Sequence, residues 1–397
     1  MAKDSVLITV AGPDNPGITQ SLMQIIDDHN GQIADMGQAV THGRLSLSIL
    51  LSSNTSAGEE ASVLKDLLFE ANKMGLNLTY QYLNMGETIS PPGSNHKFIL
   101  NCVAVEDLTA SFMLALSQLL AKNSVNILRI NNVSPGNFKS LEITTTLPRD
   151  TDLKFLKEQL LNISTEHHVD MAFLKDNVFR RSKRLIVFDM DSTLIQTEVI
   201  DEMAEVMGVG DEVRAITEMA MNGELDFDES LKQRVSKIKG ITEGQLKAVL
   251  DKLPLTQGAE EFINTVKNLG YKVGIISGGF TYFAEALKEK LGLDYAFANE
   301  LEIKNGAFTG QILGQIVNAT QKAMILKVIA QQEKIALEQV VAIGDGANDL
   351  PMLSAAGLGI AFHAKDIVKK SAEQHLSHGP MTTILYFLGI PGPGDQD

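Results

Sequence analysis

Val187–Asp201 reads VFDMDSTLIQTEVID. The apolar run that leads into it ends in Asp189 and Asp191, two aspartates separated by one residue, and Ser192-Thr193 follows. A buried strand that ends in paired acids decides the fold class, because an open α/β sheet does its chemistry at the carboxyl ends of its strands. Residues two apart on an extended backbone face the same side. Like charges so placed are unfavourable unless a cation lies between them or one carboxyl keeps its proton. Taken alone, the pair also fits a solvated acidic loop, so its surroundings must decide.

From Arg181 to about Gly389 the chain alternates strand and helix. RLIVFDMD, YKVGIISGG, VVAIGDG and LGIAFHA read as parallel strands separated by amphipathic helices, which predicts a doubly wound, Rossmann-like sheet. The insertion at about 198–254 is helical by pattern and too long for a simple crossover, so a helical cap over the strand ends is expected. Asn305-Gly306, between FANELEIK and AFTGQIL, signals a hairpin. The tail GIPGPGDQD is expected to fray.

Upstream lie two blocks with the same order of elements. The first, 1–87, reads strand (SVLITVAG), helix, strand, strand, helix, strand (LNLTYQYL), and the second, 97–176, repeats that order from FILNCVAV to HVDMAFL. Two βαββαβ units predict two small antiparallel α+β sheets, each covered on one face by helices. Thr88–His96, TISPPGSNH, reads as the linker between them.

The bulk properties narrow the function classes. With 397 residues the chain is long enough for two or three domains, and 44% hydrophobic with 21% charged residues suits a globular protein. A formal net charge of -15 opposes nucleic-acid binding, so an anionic substrate needs a local cation. No apolar run reaches membrane-span length. The single Cys102 excludes an intramolecular disulfide and points to a reducing, cytoplasmic setting, where it reads as a buried small hydrophobe. RRSKR, Arg180–Arg184, reads as a solvated linker. His167-His168 read as neighbours on a strand with opposite faces, which disfavours chelation.

A doubly wound sheet would gather further groups around Asp189 and Asp191. Ser277-Gly278-Gly279 ends the second strand, and GDGAND ends the third with Asp345, Asn348 and Asp349. Three converging aspartates with Lys322 as the best local counter-charge predict a hard cation, and Mg²⁺ suits carboxylates plus phosphate oxygens.

DMDST, SGG, the single Lys322 and GDGANDLPM stand in the order and context of the haloacid dehalogenase superfamily, which the block from about Lys183 to Phe387 resembles. DxDST followed by EVID, with MNGELDFDESLKQRV in the cap, is similar more narrowly to its phosphoserine phosphatases. The two upstream blocks resemble ACT regulatory domains, the first through the loop GPDNPGI; VEDLTAS of the second lacks the Pro-Gly.

The resemblance implies hydrolysis of O-phospho-L-serine to L-serine and phosphate, the last step of serine biosynthesis, through an aspartyl-phosphate. It makes Asp189 the nucleophile and Asp191 the proton donor and later base. It gives Mg²⁺ the carboxylates of Asp189 and Asp345 and the backbone carbonyl of Asp191, with Asp349 in support. It places Ser277, Gly278, Lys322 and Asn348 on the phosphate or substrate, Glu198 near the substrate ammonium, Arg234 on its carboxylate, and Met221 and Phe227 as pocket walls. It also implies an effector such as L-serine near Asp14 and Asn15, although GPDNPGI fits equally a helix-starting turn with Pro16 at the first helical position. A homodimer through the ACT-like sheets is expected. Two other readings stay open: the same chemistry on another small phosphate ester, and an amino-acid sensor whose catalysis is vestigial.

Overall fold

The structure, a computed structural model, describes residues 5–52, 57–83, 96–134, 137–221, 224–390 and 392. The predicted linker, apart from His96, and most of the C-terminal tail lie outside these. The chain divides into two compact units, Met1–Gly93 and Ser94–Asp397.

The first unit runs β1 (Ser5–Pro13), α1 (Ile18–Asp28), β2 (Gln32–Thr41), β3 (Arg44–Ser52), α2 (Ala57–Lys73) and β4 (Asn77–Leu83). Its antiparallel sheet has the order β2-β3-β1-β4. Alternation in β1 and β3 sends Val6, Ile8, Val10, Leu45, Leu47 and Ile49 into one core with Leu22, Ile26 and Leu67 of the helices. Pro16 does not open α1 as expected. Gly17, left-handed at φ 95°, is the cap residue, and the helix begins at Ile18.

The second unit opens with the same pattern: β5 (His96–Ala104), α3 (Ala110–Lys122), β6 (Asn126–Asn132), β7 (Ser140–Leu147), α4 (Leu153–His167) and β8 (Val169–Lys175), in sheet order β6-β7-β5-β8. Thr109 and Asp152 cap the two helices by accepting from Phe112 N and Phe155 N. Here the sheet is covered on both faces, not one. Leu100, Cys102 and Ile143 face α3 and α4, whereas Val103 and Ala172 join the core that contains Met381, Ile384 and Leu385 of the C-terminal part.

Two further expectations give way. Helix α4 extends to His167 and ends on His168 in left-handed conformation, so the two histidines terminate a helix and do not share a strand. RRSKR is not a solvated linker. Arg180 is 6% exposed and pairs with the buried Glu142 at 2.8 Å, and Lys183 is buried against the Glu338 carbonyl. Arg180 and Lys183 each meet an acceptor far away in sequence, which a local reading lacks, whereas Arg181 and Arg184 are exposed.

The α/β part comprises β9 (Leu185–Phe188), α5 (Val199–Met207), α6 (Gly210–Met221), α7 (Phe227–Lys237), α8 (Glu243–Leu250), α9 (Ala259–Asn268), β10 (Lys272–Phe280) and α10 (Thr281–Leu291). It continues with β11 (Tyr295–Lys304), β12 (Ala307–Leu313), α11 (Ala319–Gln332), β13 (Val340–Gly344), α12 (Leu350–Ala355), β14 (Leu358–Phe362), α13 (Asp366–Ser371), β15 (Gln374–Leu376) and α14 (Thr383–Phe387). The seven strands run β12-β11-β10-β9-β13-β14-β15, parallel except for β12. Asn305 and Gly306, both at positive φ, turn β11 into β12 as the dipeptide predicts. β9 is central, with β10 on one side and β13 on the other, so the switch point lies at its carboxyl end. Helices α5–α8 form the expected cap.

Candidate active site

β9 stops at Phe188, three residues short of Asp191. Asp189 is still extended (φ -69°, ψ 158°) and its carboxylate accepts from Met190 N at 2.7 Å. The chain then winds through one wide turn, Met190–Leu194, in which Ser192 takes a left-handed φ of 55°. Such a conformation is uncommon for serine and is held by its surroundings. β9 does not extend to Asp191, so strand alternation does not set the relation of the two acids. Val199 N donates to Asp191 Oδ1 at 2.8 Å and Ser277 Oγ to Oδ2 at 3.4 Å, so the acid hangs between the first cap helix and the second central strand.

Asp345 follows β13, and Thr193 Oγ1 donates to its Oδ1 at 2.8 Å. Asp349, on the single turn Ala347–Asp349, accepts from Gly346 N at 3.0 Å and from Lys322 Nζ at 2.7 Å. Lys322 also reaches Asp189 Oδ2 at 2.8 Å, and it is fully buried rather than solvated on the helix surface. One carboxylate oxygen from each of Asp189, Asp345 and Asp349 lies within 4.8 Å of the others.

These acids are held in an unfavourable field. Burial and then the neighbouring Asp189 push the Asp345 carboxyl up to about 6, and the same two causes raise Asp349. Burial, Glu198 and Asp189 raise Asp191. The Lys322 ammonium stays charged, because the Asp189 and Asp349 carboxylates outweigh its desolvation. One lysine does not balance this set. An all-oxygen donor group with excess negative charge suits a hard divalent cation, and Asp189, Asp345 and Asp349 are the acids that could hold it. Asp349 accepts from Lys322 and Gly346, as Asp189 accepts from Lys322 and Met190.

β10 loses its regular register on β11 between Ile276 and Phe280, which bulges Ser277–Gly279 at the sheet margin. Ser277 Oγ accepts from Gly279 N at 2.9 Å. A Cβ on Gly279 would come within 2.5 Å of Asp191 Oδ2, so only glycine lets the strand approach that acid. Asn348 is half-buried with its side-chain oxygen folded back over Gly346.

The cap supplies charge of both signs. Glu198 accepts from Ser192 Oγ at 2.8 Å; crowding by protein atoms raises its carboxyl although the residue keeps solvent-accessible surface. Arg234 faces Glu198, Asp201 and Asp191, and its buried Nε has no hydrogen-bond partner. Phe227 reaches Gly278, where an added Cβ would meet its ring at 3.0 Å. Met221 ends α6; its side chain lies outside the described ones.

Comparison with known proteins decides the family. Residues 183–357 match the haloacid dehalogenase-like hydrolase model and residues 4–81 the ACT domain model. The chain is 39% identical over 389 residues to a phosphoserine phosphatase of Mycobacterium tuberculosis, covering 98% of this chain and 94% of the relative. The chain belongs to the phosphoserine phosphatase family. A Streptomyces coelicolor phosphoserine phosphatase is 38% identical, over 97% of this chain and 92% of its own. Among solved structures, a probable phosphoserine phosphatase from Vibrio cholerae superposes with a TM-score of 0.59 at 39% identity, covering 74% of this chain and 86% of its own. A haloacid dehalogenase family hydrolase from Salmonella enterica serovar Typhi gives 0.64 at 33%, covering 73% and 98%.

For a phosphatase of this family, several supporting residues went unread in the sequence. Thr193 holds Asp345. The buried Asn299 donates to the Gly278 carbonyl at 2.8 Å and accepts from Val317 N at 2.8 Å, tying the bulge to the approach of α11. Asn318 caps α11 and donates to Asp228 of the cap at 3.2 Å. Only Thr193 lay inside a recognised motif; the other pairings join segments distant in sequence. In the ACT domain, Asp14, Asn15, Gly17, Thr19 and Gln38 line a pocket of about 370 Å³ with Leu45.

Proposed function

We propose that the chain hydrolyses O-phospho-L-serine to L-serine and phosphate. The observation that carries this is the pairing of a buried acid–lysine centre with Glu198 and an Arg234 whose Nε is buried and unpartnered. An amino-acid phosphate ester carries an ammonium, a carboxylate and a phosphate, and this site offers a group for each.

Asp189 attacks phosphorus and the ester oxygen leaves, forming an aspartyl-phosphate. Asp191, held by Val199 N and Ser277 Oγ, protonates the leaving serine oxygen, then takes a proton from the water that hydrolyses the intermediate. Ser277, the Gly278 amide and Lys322 bind the phosphoryl oxygens, and Asn348 adds a hydrogen bond beside them. Arg234 takes the substrate carboxylate, Glu198 its ammonium, and Phe227 excludes water. Asp189, Asp345 and the Asp191 carbonyl would hold Mg²⁺, with Asp349 in support, and the ion when bound would supply the charge that lets a dianion approach carboxylates.

The three-domain division, 1–87, 97–176 and 181–389 with its cap at about 198–254, belongs to the same reading, as does a cytoplasmic setting supported by the lone, buried Cys102. The pocket beside Asp14 and Asn15 suits a small amino acid such as L-serine, whose ammonium the Asp14 carboxylate would take. A homodimer is supported by β2, where no residue is buried and Ile33, Met36 and Val40 are exposed.

Phosphate release from a panel of phosphorylated metabolites, with and without chelator, tests the activity. Preference for phosphoserine, lost with chelator and restored by Mg²⁺, is expected. Preference for another ester would favour the second reading, and no turnover would favour a sensor.

A further inference from the structure

Hydrogen bonds linked by short stretches of backbone join the second ACT-like sheet to Asp345. Asp170, on edge strand β8 and 1% exposed, accepts from three consecutive backbone amides beyond β15: Ser377 at 2.5 Å, His378 at 3.1 Å and Gly379 at 2.8 Å. The segment so clamped continues to Met381, whose N–H donates to the Gln257 carbonyl at 3.0 Å. Thr256 precedes Gln257. Its N–H donates to Leu194 O at 3.0 Å and its hydroxyl to Thr193 O at 2.7 Å. Thr193 in turn donates to Asp345 Oδ1 at 2.8 Å.

We infer that Asp170 and Thr256 are positioning residues through which the second ACT-like domain sets the Asp345 carboxylate for the divalent cation. This rests on the metal reading of the preceding section. The physical case is one of over-determination. A buried carboxylate that satisfies three amides cannot shift without orphaning them. Gly258, at φ 78°, fits so closely under Thr382 and Pro380 that a Cβ would meet both within 3.3 Å. Movement of β8 is therefore passed to 256–258 rather than absorbed. From there only Thr193 intervenes, and outer hydrogen bonds of this kind orient metal-binding carboxylates.

The contact could instead be mere domain glue, as the neighbouring one is. The Gln374 amide bonds both N and O of Phe173, at 2.7 and 2.9 Å, yet leads nowhere towards the site. The two roles separate in Mg²⁺ calorimetry on the full chain without substrate, alongside the Mg²⁺ dependence of phosphoserine turnover and the melting temperature.

Thr256→Val is expected to weaken Mg²⁺ binding about 10-fold, and Thr256→Ser to restore it. Asp170→Asn should weaken it in the same direction, and the double variant Asp170→Asn/Thr256→Val should be no weaker than the worse single. Gln374→Ala should lower the melting temperature without touching Mg²⁺ affinity. Unchanged affinity in both Thr256→Val and Asp170→Asn, or strictly additive losses in the double variant, would overturn the relay while leaving the metal site intact. Should Asp170→Asn not fold, the Thr256→Val and Thr256→Ser pair still decides. No Mg²⁺ binding by the unaltered protein would overturn the metal reading and the relay with it.

Discussion

The Lys322 ammonium lies 2.8 Å from the Asp189 carboxylate at the centre of the sheet margin, and both are buried. The lysine shares its charge with Asp349 at 2.7 Å, so one cation supports two acids. Removing it as Lys322→Met leaves both carboxylates without their partner, at a cost of about 3–5 kcal/mol in stability. Chemical denaturation should show that loss, phosphate release should fall to background, and added Mg²⁺ should recover part of the stability but not the turnover.

Arg234→Ala is expected to remove roughly 2–5 kcal/mol of transition-state binding for phosphoserine, read as kcat/KM. Turnover of a phenyl phosphate, which has neither carboxylate nor ammonium, should change little. An equal loss on both substrates would place Arg234 in the phosphoryl-transfer machinery instead of the serine pocket.

Gly279→Ala tests the close approach of β10 to Asp191. The added methyl would need the space of Asp191 Oδ2, 2.5 Å away, and of Met190 Cε, 2.7 Å away. Displacing the acid by a fraction of its reach should lower kcat about 100-fold. The melting temperature should move by only a few degrees, because Gly279 is half-buried at the carboxyl end of β10.

Much of this was legible beforehand. The alternation of β1 and β3, the Asn305-Gly306 turn and the apolar runs of the parallel strands are local signals, and each produced its element. The gathering of Asp189, Ser277, Lys322 and Asp345 followed from topology once a parallel sheet was accepted. What stayed hidden depends on distant partners. Arg180 looks solvated until Glu142 is placed against it, and Asn299 looks like an ordinary strand residue until its amide meets the Gly278 and Val317 peptides. The turn at Ser192 was invisible for another reason: serine has little intrinsic preference for positive φ, so only tertiary hydrogen bonds reveal it.

His375 gives a pH prediction outside the catalytic centre. Burial lowers its imidazole to about 4; Asp170 opposes that shift, while Lys369 and His378 reinforce it, and the ring bonds Ser164 Oγ at 3.1 Å. Its unfolded value is about 6.5, so the folded state binds fewer protons between the two. The contribution is complete above about pH 6.5 and is lost as pH falls through 4, amounting to about 2 kcal/mol between pH 7 and pH 5. Denaturant midpoints at those two pH values should differ by less in His375→Gln than in the unaltered protein. Equal slopes would contradict a neutral buried ring.

The central claim is that Asp189 carries the phosphoryl group. Quenching the enzyme in mid-turnover with borohydride reduces an acyl phosphate to the alcohol, so mass spectrometry of the peptide spanning 185–194 reads the acceptor directly. Conversion of Asp189 to homoserine, dependent on phosphoserine and absent in Asp189→Asn, is the predicted result. Full turnover by Asp189→Asn, or the same mark on a different carboxylate, would contradict it.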